Sequence, residues 1–323
     1  MSVYGADVKN YVMKIHNIYV SNILRILIGL VFVASAILKY ISIDIFDLYI
    51  FEHNLFSISV TETLTRLLIA AELVLGIMLI SNILLRFAYY VTVAFLAGFT
   101  VYLFLLPYFF DVDITNCHCF GDAIVFNRAE SIVKNLILLL CLLFVSPKYY
   151  SHKKWKTWVF LAMSIIAFAA LMVISAPNYL YQIVHQEKIQ IDIPLYETAL
   201  ENSGVEKSFT DGKHIICMYT TGCQFCRKSA LKLHLILKHH NLSEDKVKAV
   251  FWKGTADSLI HKFFCEQKIP VPEYTTFCPD TFLTITHGKM PVLLFFDYGN
   301  LVQKASYITL NEKEVVDFMT AKK

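Results

Sequence analysis

Apolar residues run nearly unbroken through five stretches of the first half of the chain, at about 22–41, 64–81, 84–107, 131–147 and 157–176. Each is close to the ~20 residues a helix needs to cross a bilayer. After 177 the runs shorten. Residues 177–212 keep no sustained period and include Pro177, Pro194, Gly204 and Gly212, the composition of a linker. From 213 the pattern predicts strand 214–219, helix 224–240, strand 247–253, helix 256–267, an irregular stretch 268–289, strands 291–297 and 301–307, and helix 311–321. Asp297-Tyr298-Gly299-Asn300 suits a hairpin turn between the last two strands. Asn311, with Glu314 three residues later, reads as a capping box. The expected organisation is an N-terminal segment 1–20, a membrane domain 21–150, a further span 151–176, a linker 177–212 and an α/β domain 213–323.

Composition agrees with several membrane spans. Of 323 residues, 56% are hydrophobic and 17% charged, too apolar for a soluble chain of this length. The net charge of +3 gives no ground for nucleic-acid binding. Residues 1–20 are mixed and the first apolar segment is too long for a secretory leader, so none is expected. The placement of basic residues is more informative. Lys9, Lys14, Arg86, Lys148, Lys153, Lys154 and Lys156 lie in the N-terminal segment and in the second–third and fourth–fifth connections. The other two connections carry Arg128 alone, beside Asp44, Asp47, Glu52, Glu62, Asp111, Asp113, Asp122 and Glu130. By the positive-inside rule the lysine-bearing side is cytoplasmic. Five spans then put residues 108–130 and everything after 177 outside, in an oxidising compartment. The expected location is a bacterial inner (cell) membrane, crossed several times, with the C-terminal domain on the periplasmic side.

That topology matters because the chemistry sits in two cysteine pairs. Cys223-Gln224-Phe225-Cys226 follows the strand Ile215–Tyr219 and precedes a helix in which Ala230, Leu231, Leu233, Leu235, Ile236 and Leu237 recur at helical spacing. A C-x-x-C at a strand-to-helix turn reads as a thiol–disulfide redox site. Unpaired N–H groups and the helix dipole favour thiolate at Cys223, and Cys226 lies within reach to resolve a mixed disulfide. A zinc half-site is the alternative: His239 follows at finger-like spacing, but His240 is adjacent rather than three to five residues on. Pro291, after Met290, opens the following strand, which a proline tolerates.

Taken together, residues 213–323 resemble the thioredoxin fold. The resemblance implies a cis-proline at Pro291, packed against the C-x-x-C, with Met290 offering backbone hydrogen bonds to a substrate chain. Two departures bear on redox potential and on the shape of the substrate groove. Thr221-Gly222 replaces the usual tryptophan, and the span from C-x-x-C to Pro291 is longer than in a minimal thioredoxin.

The second pair is Asn116-Cys117-His118-Cys119-Phe120-Gly121-Asp122. Two thiols one residue apart can close a small-ring disulfide or bind metal with His118; unrelated loop cysteines are the bland alternative. Residues 20–147 resemble the DoxX/MauE-like superfamily of four-helix membrane proteins. The C-x-C-F-G of its MauE branch is matched by Cys117, Cys119, Phe120 and Gly121, and Arg25, Gly29 and Glu72-Leu73-Val74-Leu75-Gly76 also fit. The resemblance implies a redox role: MauE-like proteins are implicated in disulfide formation in exported partners, and DoxX relatives include a quinone-linked subunit. Glu72 in mid-span is either a proton relay or quinone contact, as His118 also is, or a structural hydrogen bond between helices. Lys39 either pairs with it or snorkels to the headgroups.

Of the other cysteines, Cys217 reads as buried core and Cys141 as a small apolar residue of the fourth span. Cys265 and Cys278 either pair or stay apart. The expected fold class is therefore a membrane α-helical bundle, a four-helix DoxX/MauE-like core plus a fifth span, followed by an α/β thioredoxin-like domain. The expected function is a thiol–disulfide oxidoreductase with Cys223, Cys226, Cys117 and Cys119 as catalytic residues. Substrates are exported protein thiols or disulfides, and the expected partners are membrane lipid and a membrane quinone. No covalent cofactor, bound metal or nucleic acid is expected. The rival readings are reductive transfer to exported proteins, a non-catalytic assembly factor, and metal trafficking through Cys117-His118-Cys119.

Overall fold

The computed structural model describes residues 3–109, 117–122, 124–145, 154–185, 191–204, 209 and 211–321. Asp111, Asp113 and Asn116, and Lys148 and Lys153 of the expected cytoplasmic connection, lie outside the described residues. The chain divides into two compact units, Met1–Phe56 with Val60–Ala176, and Pro177–Lys323 with Ser57–Ser59.

The first unit is helical: α1 Val3–Ile41, α2 Ile43–Glu52, α3 Ile58–Ser81, α4 Leu85–Phe109, α5 Arg128–Leu143 and α6 Lys154–Ile174, with a short strand β1 Cys119–Asp122 before α5. Among the described residues, four stretches are long and apolar enough to cross a membrane: Ile18–Ile41, Ile58–Ser81, Leu85–Phe109 and Trp155–Ile174. The expected span at 131–147 is the 16-residue α5, about 24 Å long at 1.5 Å per residue. Its exposed Val133, Ile137 and Leu140 still present an apolar face. The segment before the first span is helical and continuous with it in α1, and the apolar stretch itself begins at Ile18. One expectation is corrected. The connection read at 42–63 instead holds α2 and the first turns of α3. Its acidic residues hid that helix: Asp47 is buried against Arg66, whose Nη1 donates to both carboxylate oxygens at 2.7 and 2.6 Å.

Small residues let α1 and α3 approach closely. A Cβ on Gly29 would lie 2.8 Å from the Gly76 carbonyl, and one on Gly76 2.8 Å from the Gly29 carbonyl. Arg25 closes the end of α3, donating to the carbonyls of Leu79 at 2.5 Å and Ile80 at 3.3 Å. Burial is uneven. In the apolar window of α3, 56% is buried, whereas that of α6 buries 0%.

The second unit is thioredoxin-like. Its five-stranded sheet has the order β4-β3-β2-β5-β6, from β2 Lys213–Met218, β3 Val247–Trp252, β4 Glu273–Phe277, β5 Val292–Asp297 and β6 Asn300–Ala305. β3 runs parallel to β2 and to β4, while β5 is antiparallel to both β2 and β6. The helices are α7 Asn178–His185, α8 Ile193–Ser203, α9 Gln224–His239, α10 Asp257–Cys265, α11 Pro279–Thr286 and α12 Glu312–Thr320. The hairpin turn expected at 297–300 is present, with positive φ at Tyr298 and Gly299. The stretch 268–289 is not irregular: it supplies the edge strand β4 and α11. Nor is 177–212 a linker throughout, because Tyr196 and Leu200 of α8 are buried in the same core as Ile216, Val250 and Phe296. Gly204, in the left-handed region, ends that helix. Asn311 caps α12 by accepting from the Lys313 N–H at 3.0 Å. The capping box does not form there, since Glu314 accepts from Gln303 instead.

Candidate functional site

In the C-terminal unit, β2 ends at Met218, paired in register with Val292 of β5. The C-x-x-C loop and Pro291 therefore leave the same end of two neighbouring central strands. Pro291 follows a cis peptide bond from Met290. Cys223 is the N-cap of α9, partly exposed, and its Sγ accepts from the Cys226 N–H at 3.3 Å. Cys226 is fully buried, and burial pushes its thiol pKa up. The two sulfurs thus differ in access: one can meet a partner, the other only its neighbour. Arg227, unremarked in the sequence, braces the loop by donating to the Thr221 carbonyl at 3.3 Å while pairing with Glu266. A zinc site shared with His239 does not fit, because α9 separates it from Cys223 by 16 residues, about 24 Å. Cys217 is buried, as expected, and its thiol is pushed up to about 12 by burial. Cys265 and Cys278 are exposed and free.

In the membrane unit, Cys117 and Cys119 are joined by a disulfide. A tight turn carries it: His118 has positive φ, the Gly121 N–H donates to the His118 carbonyl at 3.1 Å, and the Cys117 N–H donates to the Phe126 carbonyl at 2.9 Å. Gly121 is required here, being left-handed with its Cα hydrogens against the Leu38 carbonyl, 2.5 Å from where a Cβ would stand. The first turn of α5 supports the pair. Asn127 and Glu130 form a capping box, and Ser131 Oγ lies 2.7 Å from Cys117 Sγ and 3.6 Å from Cys119 Sγ.

The disulfide forms part of the wall of a cavity of about 470 Å³, whose other walls come from α1, α2, α3, α4 and α5. Glu72 and His118 line the same cavity. Lys39 pairs with Glu72 across the bundle, so it does not snorkel. Ser35 Oγ joins that pair to the disulfide turn, 3.0 Å from Glu72 Oε2 and 2.8 Å from the Cys119 carbonyl. A second polar group lines it too. His53 Nδ1–H donates to the Tyr49 carbonyl at 2.8 Å, which leaves Nε2 to accept from the Tyr102 hydroxyl at 2.6 Å. The Tyr49 ring sits 4.7 Å from that of His118 and 5.1 Å from that of His53. Sequence reasoning missed Ser35, His53, Tyr102, Ser131 and Asn135, because only the fold brings these isolated polar residues to one space. Among the described residues, no three His, Cys, Asp or Glu side chains converge to hold a metal ion.

The arrangement defines a class: a multi-pass membrane protein that carries a cysteine pair in its helical unit and a second pair on a thioredoxin-like unit. Residues 17–146 match the family model described as methylamine utilisation protein MauE. The chain is also similar to protein TlpB of Flavobacterium psychrophilum, 25% identical over 356 aligned positions that cover 94% of this chain and 96% of that protein. No solved structure matches it.

Proposed function

We propose that the chain is a membrane-bound thiol–disulfide oxidoreductase that supports disulfide formation in exported proteins. The observation that carries this reading is the cavity, which gathers the Cys117–Cys119 disulfide, the Lys39–Glu72 pair and His118 in a space walled largely by apolar side chains. The difference in access between Cys223 and Cys226 supports the second half. In the forward direction a client dithiol reduces the Cys223–Cys226 disulfide, passing on two electrons and two protons. Cys223 thiolate then attacks the Cys117–Cys119 disulfide, and Cys226 resolves the mixed disulfide, leaving two thiols in the membrane unit. A membrane quinone in the cavity would supply the two-electron oxidant that restores that disulfide. Glu72, Lys39 and His118 hold or move the two protons released as the sulfur–sulfur bond closes. Met290 and Pro291 shape the client-binding edge beside Cys223.

The distribution of basic residues supports a thioredoxin-like unit outside the cytoplasm, on the same side as Cys117 and Cys119. Cys226→Ala removes the resolving thiol and leaves intermediates trapped on Cys223. Non-reducing gels and mass spectrometry of that variant are expected to find Cys223 joined to Cys117, Cys119 or a client cysteine. Finding Cys223 unlinked under turnover would end the relay.

A further inference from the structure

The cavity is lined by a polar side chain whose hydrogen bonds are not made among the described residues. Asn135, 1% exposed, lines it from α5, and neither its Nδ2 nor its Oδ1 has a hydrogen-bond partner among the described residues. The contrast with its neighbours is direct: Glu72, Lys39, Ser35, His53 and Tyr102 are all paired. A buried amide without partners is costly in an apolar site, so its retention calls for something that binds it. Asn135 lies one helical turn beyond Ser131, which touches both disulfide sulfurs.

The space beside it opens on α4, where Ala94 and Gly98 line the cavity and are exposed, one turn apart on a span. An added Cβ at Gly98 would meet nothing within 4 Å. On a membrane-crossing helix such an opening faces lipid, which selects a lipid-soluble ligand. A ligand that accepts two electrons and two protons changes its own polarity: a carbonyl oxygen accepts a hydrogen bond, and the hydroxyl it becomes donates one. An amide serves both states without titrating, using Nδ2–H for the first and Oδ1 for the second.

We propose that Asn135 is the ligand-binding residue for one oxygen of a quinone head, which reaches the disulfide from the lipid past Ala94 and Gly98. The proposal rests on the reading of the protein as a thiol oxidase given above. Its test uses the purified full chain in detergent, with menadione and ubiquinone-1 as short-tailed probes, followed by binding titration and thermal unfolding. Asn135→Leu, and Asn135→Ala as a smaller replacement, are expected to weaken binding at least ~10-fold, the loss of a hydrogen bond in a dry site. Asn135→Leu is also expected to raise the unfolding temperature of the ligand-free protein, because an unpaired buried amide is exchanged for an apolar group. Unchanged binding in both variants, or a lowered ligand-free unfolding temperature in both, overturns the assignment of Asn135 while leaving the oxidase reading intact. No binding of either quinone to the unaltered chain overturns this proposal and the quinone terminus together; Cys223 trapping would then still report on the thiol relay.

Discussion

Cys226 and Asn135 are both shut away from solvent, but burial does different things to them. At Cys226 it favours the neutral thiol, so in the proposed relay this sulfur stays quiet until Cys223 has formed a mixed disulfide beside it. Cys217, fully buried in the central strand β2, feels the same force. Its ordinary pKa of 9.0 is raised to about 12 in the fold. Below pH 9 folded and unfolded chains both keep the proton. Between 9 and about 12 only the folded chain keeps it, so stability falls as pH rises through that window. Cys217→Ala is expected to remove one proton's share of the slope, at most ~1.4 kcal/mol per pH unit. Urea unfolding of the reduced chain on either side of pH 9 measures it. At this scale the sequence was legible where chemistry is local. The C-x-x-C, the C-x-C and Cys217 could be read from their neighbours and Pro291 from the resemblance to the thioredoxin fold, whereas Tyr102 meets His53 across 49 positions and carries no local signal.

Among elements, the crossing of α1 and α3 sets where Lys39, Ser35 and Glu72 meet. Gly76→Val would drive its side chain into the Gly29 carbonyl and Val33. Overpacking of this kind costs roughly 1–3 kcal/mol. Thermal unfolding in detergent is expected to show the loss. Turning a neighbouring side chain aside does not relieve it, because the Gly29 carbonyl that blocks the site is backbone. The elements that sequence patterning missed are short, and each hides its signal in its own way. α2 is short and rich in acidic residues, and its buried Asp47 is neutralised by Arg66 of another helix. β4 is a five-residue edge strand between Pro272 and Pro279, where turn signals outweigh its brief apolar alternation. α8 has only Tyr196 and Leu200 buried, too few apolar positions to display a period.

For the molecule as a whole, the proposed relay gains from joining the two units in one chain, which replaces a bimolecular encounter of cysteine pairs with an intramolecular one at high effective concentration. That advantage requires both pairs on one side of the membrane. Cys265 and Cys278 provide reporters, being exposed and unpaired on the C-terminal unit. In intact cells a membrane-impermeant maleimide is expected to label both, read out by peptide mass spectrometry. Labelling only after lysis would place the unit inside. The last span bears on the same point. No residue in the apolar window of α6 is fully buried: one edge, with Phe160, Ala167 and Leu171, packs on the bundle, and the rest faces its surroundings. Exposed positions such as Ile165, Ile166 and Val173 are therefore exchangeable within the apolar alphabet, but the presence of the helix is not. Each crossing reverses the side on which the chain continues, so in the proposed topology α6 acts as a parity element: without it, an intact thioredoxin-like unit would face the wrong compartment.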